Sequence, residues 1–290
     1  MNAALKVLLV MLVLVTQVGC SAFQFFVERS VNNFENRAAN RINSFADFNL
    51  QQKDKIDEIA AEIDDWMRIE RLSQLSTMLF AFADDIETQG QISDIHWRAA
   101  YQEIERGFLL SNAIEVNKGF TDLALSLSDQ QVQQVIEKMD ERFEERQAKR
   151  EGETIEDINK RFISNINWLF RASNRSLKSA ERAQAVTILN ELKFDIANNN
   201  EKIGSRINRL QGMILQRNNS EMNFQTNLEE FWREFEEPYN FEQPDVAEYN
   251  YLVTSHCMNY LLSNLNEKNR SSMARVLRKY SALFERLSKS

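Results

Sequence analysis

Apolar residues recur every three or four positions along nearly the whole chain, the period of an amphipathic helix. Ile56, Ile59, Ile63 and Trp66 form one stripe, and Leu72, Leu75, Leu79, Phe82 and Ile86 form another. The two are out of phase, because Trp66, Ile69, Leu72 and Leu75 step by three. A straight helix cannot keep both on one face, so a bend is expected near Leu72-Ser73. Later stripes are Val132, Val135, Met139 and Phe143; Ile158, Phe162, Ile166 and Leu169; and Ile203, Ile207, Leu210 and Ile214. Phe224, Leu228, Phe231 and Phe235 follow, then Val276, Tyr280, Leu283 and Leu287. Strand-like alternation is absent from the sequence. Helix breakers are few, with 7 Gly and 2 Pro in 290 residues, and both prolines fall at Pro238 and Pro244. The expected fold is all-α, an elongated array of antiparallel helical hairpins.

The predicted helix starts share one design. LSDQQVQQV offers Ser128 as N-cap with Gln131 three residues on, a capping box. FNLQQKDKI repeats it with Asn49 and Gln52, and TIEDINKRF with Thr154 and Asp157. Ser93 and Ser179 are further expected caps, each followed by acids in the first turn that suit the helix dipole. Asn266 is expected to start the last helix. These starts are unevenly spaced, which argues against a short-period solenoid.

The first residues break the amphipathic pattern. In MNAALKVLLVMLVLVTQVGCSAF, Lys6 precedes a continuous apolar run from Val7 to Val15. That run is shorter than the roughly 20 residues a spanning helix needs. A charged start, a short apolar middle and a small-residue boundary describe a secretory signal peptide over residues 1–19. The cysteine at the boundary adds more. Val18, Gly19 and Cys20 resemble a lipobox, with Gln17 where leucine is usual, so Cys20 is the expected lipid-attachment site and first mature residue. Each buried CH₂ contributes about 0.8 kcal/mol, so the several acyl chains of such a cysteine would hold residues 20–290 on the membrane. Ser21 is not the aspartate that commonly retains lipoproteins on the inner membrane. The expected location is therefore the bacterial envelope, at the outer membrane facing the periplasm.

Composition narrows the partners. The chain has 35 basic and 43 acidic residues, a net charge of −8, and loses a further positive charge if residues 1–19 are removed. An acidic chain without a basic block is a poor partner for nucleic acid or for anionic lipid headgroups. Cys20 and Cys257 are the only cysteines. With Cys20 lipidated, no intrachain disulfide is expected.

The motifs also resemble a family of uncharacterised helical bacterial lipoproteins, known only as a domain of unknown function. FADFNLQQK at 45–53 is similar to its aromatic–aspartate–hydrophobic entry into a Gln-initiated helix. Trp66 and Leu72 match a Trp-His pair and a Leu-Pro, with Met67 and Ser73 in place of the histidine and proline. LSDQQV at 127–132 matches a Leu-Ser-x-x-Gln-Val start. Trp168 with SAERAQAV, and Arg206 with Gln211, resemble later features. The resemblance implies a lipid-anchored helical protein and no reaction.

Candidate chemistry is sparse. His256 and Cys257 are adjacent, so they point about 100° apart on a helix and cannot chelate one metal. Cys257 follows Val253 on an apolar stripe and reads as a buried thiol. Asp64-Asp65, Asp84-Asp85 and Glu236-Glu237 read as solvated faces. Arg142, Arg146 and Arg150 form a stripe beside Glu141 and Glu145, with Glu145 able to pair with Lys149, and read as an exposed, self-paired surface. No catalytic, cofactor or metal site is expected. The least typical segment, 229–245, combines Phe231, Trp232, Phe235, Tyr239 and Phe241 with seven acids and both prolines. It reads either as a helix end tucked into the core or as a partner surface. The expected function is a non-enzymatic envelope scaffold or adaptor that contacts another envelope protein. The alternative is a periplasmic carrier of an apolar ligand held between helices.

Overall fold

Local capping sets several of the helix starts. The computed structural model describes residues 20–106, 114–193, 196–234 and 244–290, and among these it holds helices and turns but no strand. The expected leader, 1–19, lies outside the described residues. The helices are α1 (Cys20–Asn32), α2 (Phe34–Asn43), α3 (Leu50–Trp66), α4 (Ser73–Gln89), α5 (Asp94–Arg106), α6 (Ile114–Leu125) and α7 (Asp129–Ala148). After them come α8 (Ile155–Ala172), α9 (Ser179–Leu189), α10 (Ile196–Leu215), α11 (Glu221–Glu234), α12 (Pro244–Ser263) and α13 (Glu267–Leu287).

Four caps form as the sequence predicts. The side chains of Asn49, Ser128, Thr154 and Asn266 accept from the amides of Gln52, Gln131, Asp157 and Asn269 at 3.0, 3.2, 3.2 and 2.9 Å. Two starts differ. Ser93 stands just before α5, but its hydroxyl is turned to Asp85 Oδ2, to which it donates at 2.7 Å. At α9 the N-cap is Lys178 instead of Ser179, because the Glu181 carboxylate accepts from the Lys178 amide at 2.8 Å. That half of a capping box requires only an acid at the third helical position, whatever side chain precedes the helix.

A π-helical stretch, Met67–Leu72, fuses α3 and α4 into one helix from Leu50 to Gln89, about 60 Å long at 1.5 Å per residue. The expected phase slip is taken up here. Buried positions run Ile63, Met67, Leu72 and Ser76, so one step of five lies between steps of four. A turn closed by i→i+5 bonds holds one residue more than an α turn. The core face therefore continues through it, and Met67, Leu72 and Ser73 all keep α-region dihedrals.

Two cores hang on this spine. Ile56, Ile59 and Ile63 of α3 pack with Val116 and Leu123 of α6, Val132 of α7 and Ile214 of α10. Ala83 and Ile86 of α4 pack with α8, α9, α12 and α13. Phe224, Leu228 and Phe231 of α11 form a smaller cluster against α6 and α10. The most extensive pairing joins α4 to α13, far apart in sequence. Small buried residues allow the approach: Ser76 Oγ donates to Ser281 O at 2.9 Å, and Ser281 Oγ donates to Ser76 O at 2.8 Å. At the end of α4, Gly90 adopts φ +72° and its amide donates to Ile86 O. A Cβ there would also lie 2.4 Å from the Arg270 guanidinium.

The first helix joins the last. Val31 is buried with Leu72, Leu283, Phe284 and Leu287, Val27 packs beside them, and Glu28 pairs with Arg286. Arg68, on the π stretch, binds the ends of both helices. Its guanidinium meets Asp64 Oδ2 at 2.6 Å, Leu287 O and Val31 O at 3.4 Å each, and Ser290 Oγ at 3.0 Å. A cation at two helix C-termini complements both macrodipoles.

Candidate functional site

The segments FADFNLQQK and LSDQQV meet in space. The start of α3 and the start of α7 bring Gln52 and Gln131, each the acid-like partner in its own capping box, side by side. Gln131 Nε2 donates to Gln52 Oε1 at 2.7 Å, and Gln52 Nε2 donates to Gln131 Oε1 at 3.1 Å. Gln52 also donates to Ser126 O at 2.9 Å, and Gln131 to Asp47 O at 2.8 Å. Gln52 is buried, so these amides satisfy each other where water is scarce. Gln134 completes the link: it donates to Asp47 Oδ2 and accepts from the Asp47 amide, both at 2.9 Å. On the other side Arg217, almost fully buried, donates to Leu127 O at 2.8 Å and Asp129 Oδ1 at 2.9 Å.

Beside this lock lies an open groove of about 400 Å³, lined among others by Asn43, Ser44, Asp47, Glu137, Lys138 and Glu141. Lys138 is paired with Glu141. Asp47 and Glu137 leave the lining acidic overall. The Arg142 guanidinium lies 3.9 Å from the centroid of the Phe45 ring, so the arginine stripe is only partly the self-paired surface expected. Glu145 does pair with Lys149, at 3.5 Å. The groove offers hydrogen-bond acceptors to solvent and suits a polar or cationic group better than an apolar one.

The other candidates resolve as follows. Cys20 is the first residue of α1, and its side chain lies outside the described residues. Phe231 is 2% exposed and packs with Phe224 and Leu228. It belongs to the core and not to an exposed partner surface, because it falls on the inward stripe of α11. The Trp232 side chain, and Phe235, Tyr239 and Phe241 entirely, lie outside the described residues. So does Glu236-Glu237.

Cys257 is buried, its thiol 3.7 Å from Ala185 O, and burial pushes its pKa up to about 12. His256 beside it is exposed. Two carboxylates depart from the solvated-face reading. Asp64 is buried against Arg68, and Asp85 is buried against Ser93 and His96. Burial alone would raise the Asp85 pKa. The Ser93 hydroxyl and amide and His96 Nδ1, at 2.7, 2.9 and 2.7 Å, outweigh it and hold the carboxyl below its usual value. This pair orients the start of α5; Ser93 is spent on Asp85 and is not aimed at the far nitrogen of the imidazole as a nucleophile would be.

Among the described residues, no group of three or more His, Cys, Asp or Glu could hold a metal ion. No helix among them is long and apolar enough to cross a membrane. Comparison with family models, curated proteins and solved structures returns no match to this chain.

Proposed function

We propose that this chain is a lipid-anchored helical protein of the bacterial envelope, held by acylated Cys20 at the outer membrane and facing the periplasm. It belongs, on this reading, with the uncharacterised helical lipoproteins that its 45–53 and 127–132 motifs resemble. Its helices form an elongated array of antiparallel hairpins, and it works as a non-enzymatic scaffold or adaptor for another envelope protein. The observation that carries the reading is the coincidence in VTQVGC of a signal-peptide end, a small residue and a cysteine. The groove beside Asp47 and Glu137 is the surface where this reading seats the partner.

Fractionation tests the anchor. Wild type should co-sediment with outer membranes, and Cys20→Ser should be released to the periplasm or remain unprocessed. A processed Cys20→Ser protein that still fractionates with membranes would falsify the anchor. Photocrosslinking from positions 137 and 141 in cells, followed by identification of the trapped protein, tests the adaptor role. Trapping nothing above the level seen from position 160, an exposed site on α8, would sink it.

A further inference from the structure

Most of α1 lies within reach of the membrane that Cys20 would occupy, yet α1 is also packed into the protein. Val27 and Val31 already touch the cluster formed by Leu72, Leu283, Phe284 and Leu287. Glu28 pairs with Arg286, and Arg68 donates to Val31 O. Cys20 and Val27 are seven residues apart in one helix, about 10 Å at 1.5 Å per residue. The backbone is helical throughout from Cys20 to Val27. Phe25 lies between them and is 59% exposed, although it is a large apolar side chain. Its backbone is about 7.5 Å along the helix from Cys20. That is within the outer limit of the polar interface of one leaflet, about 5–7.5 Å deep if a 30 Å core sits within 40–45 Å overall. Aromatic side chains near the boundary gain by entering it.

We infer that the exposed Phe25 side chain of α1 sits in the lipid interface, so that the helical body rests directly on the leaflet instead of hanging from a linker. This rests on the lipid-anchor reading. Leu50 provides the internal contrast. It is more exposed than Phe25, at 81%, but opens α3 at the opposite end from the π stretch that α1 contacts. Exposure alone would treat the two alike, and membrane seating separates them.

The test uses the full acylated chain, with Phe25→Cys or Leu50→Cys carrying a polarity-sensitive thiol label, in phosphatidylethanolamine–phosphatidylglycerol vesicles. Cys257 is buried with a raised pKa and does not compete for label. The label at 25 should shift to the blue and lose quenching by aqueous iodide, while that at 50 should keep both its aqueous emission and its quenching. The mass of the Cys20 peptide is measured on the same samples. Acylated protein with an aqueous label at 25 overturns the seating and leaves the anchor intact. Unacylated protein overturns both. Shielding at 25 that persists in lipid-free Cys20→Ser protein and grows with concentration overturns the seating in favour of self-association. If labelling disturbs the fold, Phe25→Trp in vesicles of brominated lipid replaces it, and quenching no greater than in wild type overturns the inference.

Discussion

Removing the Arg68 guanidinium should cost more than any surface ion pair, for reasons its surroundings make explicit. Its side chain is 13% exposed and that of its partner Asp64 is 11% exposed. Arg68→Ala would strip the charge partner from Asp64, whose Oδ1 already has no hydrogen-bond partner. It would also uncover the carbonyls of Val31 and Leu287. Breaking a buried pair from one side costs about 3–5 kcal/mol, because an uncompensated charge remains. At about 2 °C per kcal/mol, the low end for large domains, the melting temperature should fall by about 6–10 °C. The assay is urea and thermal unfolding by circular dichroism on soluble Cys20→Ser protein. The double variant Asp64→Leu, Arg68→Met decides the cause. Replacing both partners with apolar groups removes the orphaned charge and should recover most of the loss. If Arg68→Ala costs under about 1 kcal/mol, within the range of an exposed pair, the clasp at the two helix ends is not a structural element. If the double variant is as unstable as the sum of its singles, the penalty does not come from the stranded Asp64.

Other perturbations read separate parts of the fold. Gln52→Ala and Gln131→Ala should be non-additive, with a coupling of about 1 kcal/mol or more in a double-mutant cycle, and additive losses would refute their mutual bonding. Asp85 has a lowered pKa in the folded state. Its stabilisation is therefore present above the unfolded value, near 4, and is lost as pH falls through the folded value. Asp85→Asn should flatten that acid limb of the stability profile, and an unchanged slope below about pH 4 would contradict the carboxylate's role. Phe231→Ala should destabilise by about 3–5 kcal/mol, measured as a urea-midpoint shift. A change within about 0.5 kcal/mol would remove it from the core.

What was legible in the sequence follows the range of each interaction. Asn49, Ser128, Thr154 and Asn266 could be placed as caps because cap and acceptor are three residues apart. Cys257 could be placed inside because its stripe is local. The mutual pairing of Gln52 and Gln131 could not, since each looks complete within its own box and the bond between them spans most of α3 to α7. Arg68 reads as one more charge on a polar face, for its carbonyl partners belong to the first and last helices. Ser76 and Ser281 were invisible to a count of apolar positions, although their smallness is what lets α4 and α13 meet. Asp64 and Asp85 were misread for the same reason: a doublet of acids looks solvated until its partners are known. At 229–245 the stripe Phe224, Leu228 and Phe231 already pointed to the core and the composition to a surface; burial of Phe231 decides for the stripe at that position.

The π stretch has a consequence for changes in chain length. Five residues from Met67 to Leu72 turn the helix about as far as four would in α geometry. Losing one residue from Leu50–Trp66 would rotate everything downstream by about 100° relative to the preceding helix, so that Ser76, Ala83 and Ile86 could not face α13 and α8 while Ile56 and Ile59 kept their own core. Losing Ile69 alone would let the segment close as ordinary α-helix with both core faces still aligned; Ile69 itself is exposed. The spine thus carries one spare residue, and a single-codon deletion, normally ruinous inside a long buried helix, has one place where it leaves the register intact.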